Sequence, residues 1–172
     1  MGKHHRETRK SSLVLISKFS RKDRRGNIGF EANLPTIISI KMNAKPWTNE
    51  LLEIKKSIEP LARTQFNSVL INYYRDGRDR VAWHSDDEKE LGLNPVIASI
   101  SFGAERKFKL RHKRYKENQL KHEIILPNGS LLIMSGVTQH HWLHEIPRTA
   151  KPIGPRINLT FRVIRLQNKK QK

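Results

Sequence analysis

The spacing of apolar residues changes character at Trp47. From there Leu51, Ile54, Ile58 and Leu61 recur at three- and four-residue steps behind a candidate cap at Thr48 or Asn49, which predicts one helix with a single apolar face that Pro60 helps to end. Such a helix must bury its stripe, and a sheet is the natural backing. Beyond it the period shortens to two. Strand-like runs follow at Phe66 to Tyr74, Val81 to His84, Val96 to Phe102, Lys107 to His112, Glu123 to Leu126, Leu131 to Met134, Trp142 to Ile146 and Arg156 to Ile164. Asp76-Gly77, Asn94-Pro95, Asn128-Gly129 and Gly154-Pro155 punctuate them, while Lys113 to Lys121 reads as a charged, solvated loop. Many short strands with regular turn signals predict a mainly β fold, a sandwich or jelly roll, with one flanking helix.

Before this region the pattern is neither helical nor alternating. Residues 1 to 33 carry Lys3, Arg6, Arg9, Lys10, Lys18, Arg21, Lys22, Arg24 and Arg25 against few acids, with Gly26 and Gly29 as breakers, and read as a basic, irregular N-terminal arm. Residues after Arg165 form a basic tail. The chain of 172 residues suits one domain, and the expected organisation is an arm over 1–44, a core over 45–165 and a tail over 166–172.

Composition narrows the function. Lys and Arg outnumber Asp and Glu by 34 to 16, a formal charge of +18, which draws phosphate backbones and makes nucleic acid the leading partner over anionic lipid. With no cysteine, disulfides, thiolate zinc sites and cysteine nucleophiles are excluded, and an intracellular home, cytoplasmic or nuclear, is expected. No apolar run reaches membrane-span length; Leu13 to Ile16 is too short even for a signal-peptide core.

Three groups of residues carry chemistry. His84 and Asp86 are two apart, so on an extended strand they leave one face and can grip one ion. A third ligand would come from His140, His141 or His144, among which spacing does not choose, although parity on a strand would put His140, Trp142 and His144 on one side. Two imidazoles and a carboxylate fit Fe(II) with open positions, or a zinc hydrolase. In Arg156-Ile157-Asn158-Leu159-Thr160-Phe161-Arg162, alternation puts Arg, Asn, Thr and Arg on one face. Asn72 and Tyr74 bring polar groups into an apolar run that a bound carboxylate could satisfy. An Arg fork meets a carboxylate with two parallel hydrogen bonds, so a pair of arginines suits a dicarboxylic acid and tilts the metal toward iron.

Several ordered blocks now resemble a known family: Phe66 to Gly77, Trp83-His84-Ser85-Asp86-Asp87-Glu88, Ile97 to Ala104, Gly129 to Met134, His141 to Pro147 and Pro155 to Arg162. From Lys45 to Ile164 the chain resembles the AlkB-like Fe(II)- and 2-oxoglutarate-dependent dioxygenases, in the branch that dealkylates bases of DNA and RNA. That resemblance implies a double-stranded β-helix with His84, Asp86 and His144 as iron ligands, leaving His140 and His141 as bystanders or substrate contacts. It implies that Asn72, Tyr74, Arg156, Thr160 and Arg162 surround 2-oxoglutarate with Asn158 assisting, and that Asp87 and Glu88 face the damaged base. It further implies O2 as co-substrate, a monomer, and oxidative demethylation of bases such as 1-methyladenine and 3-methylcytosine. The chain departs from the pattern before Lys45: where the family carries Trp and Tyr in a lid over the flipped base, only Phe19 and Phe30 are aromatic here. A divergent lid or a fragment of a longer chain are both compatible with this. Competing expectations are a nucleic-acid-binding jelly roll without turnover, and a dioxygenase of another substrate.

Overall fold

A computed structural model of the chain describes residues 12–16 and 45–165. Their elements run β1 (Ser12–Ile16), α1 (Asn49–Ala62), β2 (Ser68–Tyr74), β3 (Val81–His84), a 3-10 turn (Lys89–Leu91), β4 (Ile97–Gly103), β5 (Arg106–His112), α2 (Tyr115–Asn118), β6 (Lys121–Leu126), β7 (Ser130–Ser135), α3 (Thr138–His141), β8 (Trp142–Ile146) and β9 (Arg156–Arg162). The strands form two antiparallel sheets, ordered β1-β7-β4-β9-β2 and β3-β8-β5-β6. This is the jelly roll expected from the pattern, with every strand-like run realised to within two residues at each end.

Local chemistry accounts for the helix. Thr48 caps it, its hydroxyl accepting from the Leu51 amide at 3.4 Å, and Arg63 closes it in the left-handed region at φ 50°. Pro60 does not terminate α1 as its sequence position suggests but lies inside the last turn, where losing one amide donor costs a single bond. The buried stripe is Ile54, Ile58 and Ala62, whereas Leu61 is about half exposed, so the apolar face follows the four-residue step at its end rather than the three-residue one.

That stripe packs on the outer face of the five-stranded sheet, against Ala98, Ile100, Leu131, Ile133, Leu159 and Phe161. A second core lies between the sheets: Tyr74, Ile97, Leu132 and Met134 from the first, Phe108, Leu110, Leu126 and Ile146 from the second, with Leu91. Strands β4 and β7 are buried on both faces, which is why they read as near-continuous apolar runs. At Gly103 the chain leaves the first sheet for the second with φ +86°, and any Cβ would collide with the Pro155 carbonyl.

Two expectations need correction. Residues 1–44 are not irregular throughout: Ser12–Ile16 pair in register with Leu131–Ser135 as the outermost strand β1, because Leu-Val-Leu-Ile is a β-forming run that gains a ladder on the edge of β7. The remaining expectations for the arm, and those for the tail after Arg165, fall outside the described residues. The stretch Lys113 to Lys121 contains the helical turn α2, closed by Gln119 at φ 56°. Among the described residues, no helix is long and apolar enough to cross a membrane.

Candidate active site

The chemistry-bearing residues meet between the sheets. His84 and His144 are directly opposed partners on β3 and β8, their ring centres 4.2 Å apart. Three residues of β3 span the distance that two cover on β8, a bulge between Val81 and His84. The extra residue cancels one step of alternation, so Val81 and His84 both point inward although three positions separate them. Asp86 follows beyond the strand end and is 3% exposed. One ligand atom each from His84, Asp86 and His144 lie within 4.8 Å of one another, close enough to share a metal ion.

The surroundings favour that use. Burial, aided by the nearby His84 and Arg162, pushes the His144 imidazole down to about 4 despite the Asp86 carboxylate, so it is a neutral ligand at physiological pH. His84 Nδ1 lies 2.8 Å from the Ala82 carbonyl, which leaves Nε2 as the free ligand atom. Asp86 is fixed from two sides: its amide donates to Gln139 Oε1 at 2.9 Å, and Arg162 Nη2 stands 3.3 Å from its Oδ1.

His144 carries a pH consequence. Above its ordinary value of 6.5 both folded and unfolded chains hold it neutral; below that the unfolded chain takes up the proton and the folded one resists down to about 4. Metal-free protein should therefore lose stability as pH falls from 6.5 to 4, by on the order of 3 kcal/mol from this group at full effect. Urea titrations at steps across that window check it, and a flat profile for the part that vanishes on removing the imidazole would contradict it.

The second group lies on the inner face of the first sheet. Alternation along β9 holds as the pattern predicts: Arg156, Asn158 and Thr160 are buried facing inward with Arg162, while Leu159 and Phe161 face α1. Across the β2 ladder Tyr74 opposes Arg156 and Asn72 opposes Asn158. The Arg156 guanidinium sits 4.9 Å from the Tyr74 ring centre, and its Nη2 donates to Ser101 Oγ at 2.9 Å and Asn158 Oδ1 at 2.8 Å. Asn158 also accepts from Ser99 and donates to Thr160, so it orients its neighbours more than it offers groups of its own.

A model of the 2OG-Fe(II) oxygenase superfamily matches residues 35–162. The chain belongs to that superfamily. Within it, the chain is 45% identical over 136 residues to Alpha-ketoglutarate-dependent dioxygenase alkB homolog 3 of Mus musculus, covering 75% of this chain and 48% of that protein. It is 42% identical over 139 residues to DNA oxidative demethylase ALKBH2 of Homo sapiens, covering 78% and 53%. The chain thus spans about half the length of the curated relatives it matches. The solved structure of OsALKBH1 shares the fold at a TM-score of 0.53 and 18% identity, over 69% of this chain and 65% of that one.

The groups this superfamily is named for fit the residues present. Two imidazoles and one carboxylate suit Fe(II), whose remaining positions stay open. For the dicarboxylate the decisive atoms are donors without acceptors: Arg156 Nε and Nη1 and Arg162 Nε are buried and have no hydrogen-bond partner. Each buried orphan donor costs about 1–3 kcal/mol, a cost that a carboxylate between them would remove.

Some residues fall where the pattern did not put them. His140 and His141 belong to α3, so strand parity does not extend to His140, and neither joins the metal cluster. His141 is exposed and stacks on His112 at 5.9 Å, while His140 keeps a buried Nε2 without a partner. Asp87 and Glu88 are exposed; Asp87 pairs with Lys113 at 2.9 Å, which with the Ser85 hydroxyl holds its carboxyl below the usual range.

Gln139 and Arg106 were not legible beforehand. Gln139 is 1% exposed, and its Nε2 finds only the Met134 sulfur, so its carbonyl is committed to Asp86. Gln139→Leu should weaken Fe(II) binding by roughly tenfold or more with the fold intact, as loss of an outer support does at metal sites; isothermal titration with unchanged affinity would remove Gln139 from that role. Arg106, 3% exposed, donates to the Asp76, Asp79 and Pro147 carbonyls behind Tyr74. Its only prior signal was a cation opening an otherwise alternating strand.

Proposed function

We propose that this chain is an Fe(II)- and 2-oxoglutarate-dependent dioxygenase that demethylates N-alkylated bases of DNA or RNA, such as 1-methyladenine and 3-methylcytosine, in alkylation repair. The observation that carries the reading is the link between the two halves of the site: Arg162 reaches Asp86 of the metal cluster at 3.3 Å while sharing a face with Arg156, whose unspent donors await a carboxylate. The relatives' names, a DNA oxidative demethylase among them, support the substrate class, as does the charge of +18.

His84, Asp86 and His144 would hold the iron, and Arg156 and Arg162 the two carboxylates, with Tyr74 stacked beside Arg156 and Asn72, Asn158 and Thr160 lining the face. Iron with 2-oxoglutarate and O2 supplies the oxidant that hydroxylates a methyl carbon on a base nitrogen, after which the hydroxymethyl group leaves as formaldehyde. The protein's share is positioning and exclusion of water. Phe108 stacks behind His144 at 5.3 Å, and the core beneath it keeps that side of the site dry. Asp87, ionised beside Lys113, sits one residue beyond Asp86, where a carboxylate favours a cationic methylated base; Glu88 follows it on the same exposed rim.

The test is succinate and formaldehyde release on methylated strands under Fe(II), 2-oxoglutarate and ascorbate, with unmethylated strands and methylated-protein substrates beside them. Succinate only with the other substrates would sink the reading, as would strand binding without turnover. Asp87→Ala should lower demethylation by about tenfold, the worth of one hydrogen bond to a charged group, with Fe(II) affinity unchanged. Parallel loss of both would refute a role at the base.

A further inference from the structure

We infer that the outer face of the four-stranded sheet carries a second binding site for single-stranded nucleic acid, behind the metal cluster. This rests on the nucleic-acid reading above but concerns a surface that takes no part in oxidation. Phe108, Leu110, His144 and Ile146 point inward, so alternation sends Lys107, Lys109 and Arg111 of β5 to the opposite side. Lys121 and Glu123 of β6 face the same way, since Ile124 and Leu126 fill the core. Trp83 joins them from β3, with the Arg111 guanidinium 4.4 Å from its ring centre.

These side chains are not a flat solvated face. Trp83, Lys109, Arg111, Tyr115, Lys121 and Glu123 line a cleft of about 430 Å³, within the size range of ligand pockets. Its acid is already answered, because Glu123 pairs with Lys107 at 2.6 Å. Lys109 has Glu145 as its cross-strand neighbour, yet among the described residues Lys109, Arg111 and Lys121 enter no ion pair within 4.0 Å. Free cations around aromatic rings make up the chemistry that takes phosphates and unpaired bases together. Arg111, stacked on Trp83, has its fork pre-oriented. Tyr115 stands at the rim on α2, outside both sheets.

The position gives the site a purpose. Trp83 and His84 are consecutive on β3, an edge strand, and project to opposite faces. A strand offering a base to the metal side can therefore pass around the β3 edge and lay its flanking nucleotides in the cleft. A trinucleotide centred on the metal side is too short to do both.

The experiment uses the full chain and two fluorescein-labelled single strands, a trinucleotide with a central 3-methylcytosine and an unmodified 15-mer. Arg111→Glu/Lys121→Glu should weaken 15-mer binding at least tenfold and flatten its log–log salt dependence by about 1, since each single-strand phosphate contact contributes about 0.7. Trinucleotide turnover should be unchanged. The control Lys45→Glu/Lys56→Glu, two exposed lysines on the α1 side, makes the same change of charge elsewhere. Tyr115→Ala, which alters no strand, should weaken the 15-mer severalfold with no change in salt slope. Equal losses in the two charge-reversed doubles, an unaffected 15-mer, or displacement of the 15-mer by oligoglutamate as readily as by unlabelled strand would overturn the site. Trinucleotide turnover without cleft dependence leaves the demethylase reading standing alone; cleft-dependent 15-mer binding without turnover leaves the cleft standing and removes the demethylase.

Discussion

Arg156→Met is expected to raise the 2-oxoglutarate concentration needed for half-maximal turnover by roughly 30-fold to several thousand-fold, because truncating one partner of a buried, hydrogen-bonded charge pair costs on the order of 2–5 kcal/mol. The direction of the stability change is what makes the test informative. In the absence of co-substrate, Arg156 is a guanidinium 2% exposed, with Nε and Nη1 unpartnered and burial working against its charge. Methionine has similar reach and no donors, so the variant without 2-oxoglutarate should be as stable as wild type or more so. Ser101 and Asn158 lose the Nη2 donor, but Asn158 Oδ1 keeps the Ser99 hydroxyl. With Mn(II) in place of iron to prevent turnover, saturating 2-oxoglutarate should raise the Tm of wild type through linkage and leave the variant's unmoved. An Arg156→Met protein that is less stable without ligand, yet still stabilised by 2-oxoglutarate, would make Arg156 a structural residue.

The alternation that exposed this face also shows how much of the molecule could be read from the chain. A period of two along Arg156 to Arg162 was sufficient to assign both faces of β9, since a strand paired on both sides in an antiparallel sheet has no freedom to rotate. His84 with Asp86 was legible from spacing, but for the wrong local reason: the bulge, not simple strand parity, turns His84 inward beside Val81, and a bulge leaves no mark in the pattern. The choice of His144 over His140 and His141 came from resemblance alone, because helical and extended geometry are indistinguishable over four residues, and α3 occupies the first half of the cluster. Gln139 was illegible in principle: its role depends on contact with Asp86 across 53 positions. β1 was missed because the basic residues around Leu13 to Ile16 outweighed a run of four apolar ones, whose pairing edge on β7 is 115 or more residues away.

His144→Leu is the change with the largest expected effect on the metal, and leucine rather than alanine makes it interpretable. The imidazole is 6% exposed, packed between His84 at 4.2 Å and Phe108 at 5.3 Å, so alanine would open a cavity and mix lost ligation with lost packing. Leucine keeps most of the volume and removes a ring that burial holds neutral against its own basicity, so metal-free His144→Leu should fold at least as stably as wild type. The acid-side loss of stability between pH 6.5 and 4 assigned to this group should shrink in the variant. Fe(II) affinity should fall more than 100-fold, beyond what loss of an outer support causes at metal sites, and turnover should fall to background. His141→Leu, in the exposed ring stacked on His112, should change none of these. Fe(II) binding by His144→Leu within tenfold of wild type would mean that the third ligand lies elsewhere; comparable losses in the two variants would mean that α3 and β8 are coupled in a way their contacts do not express.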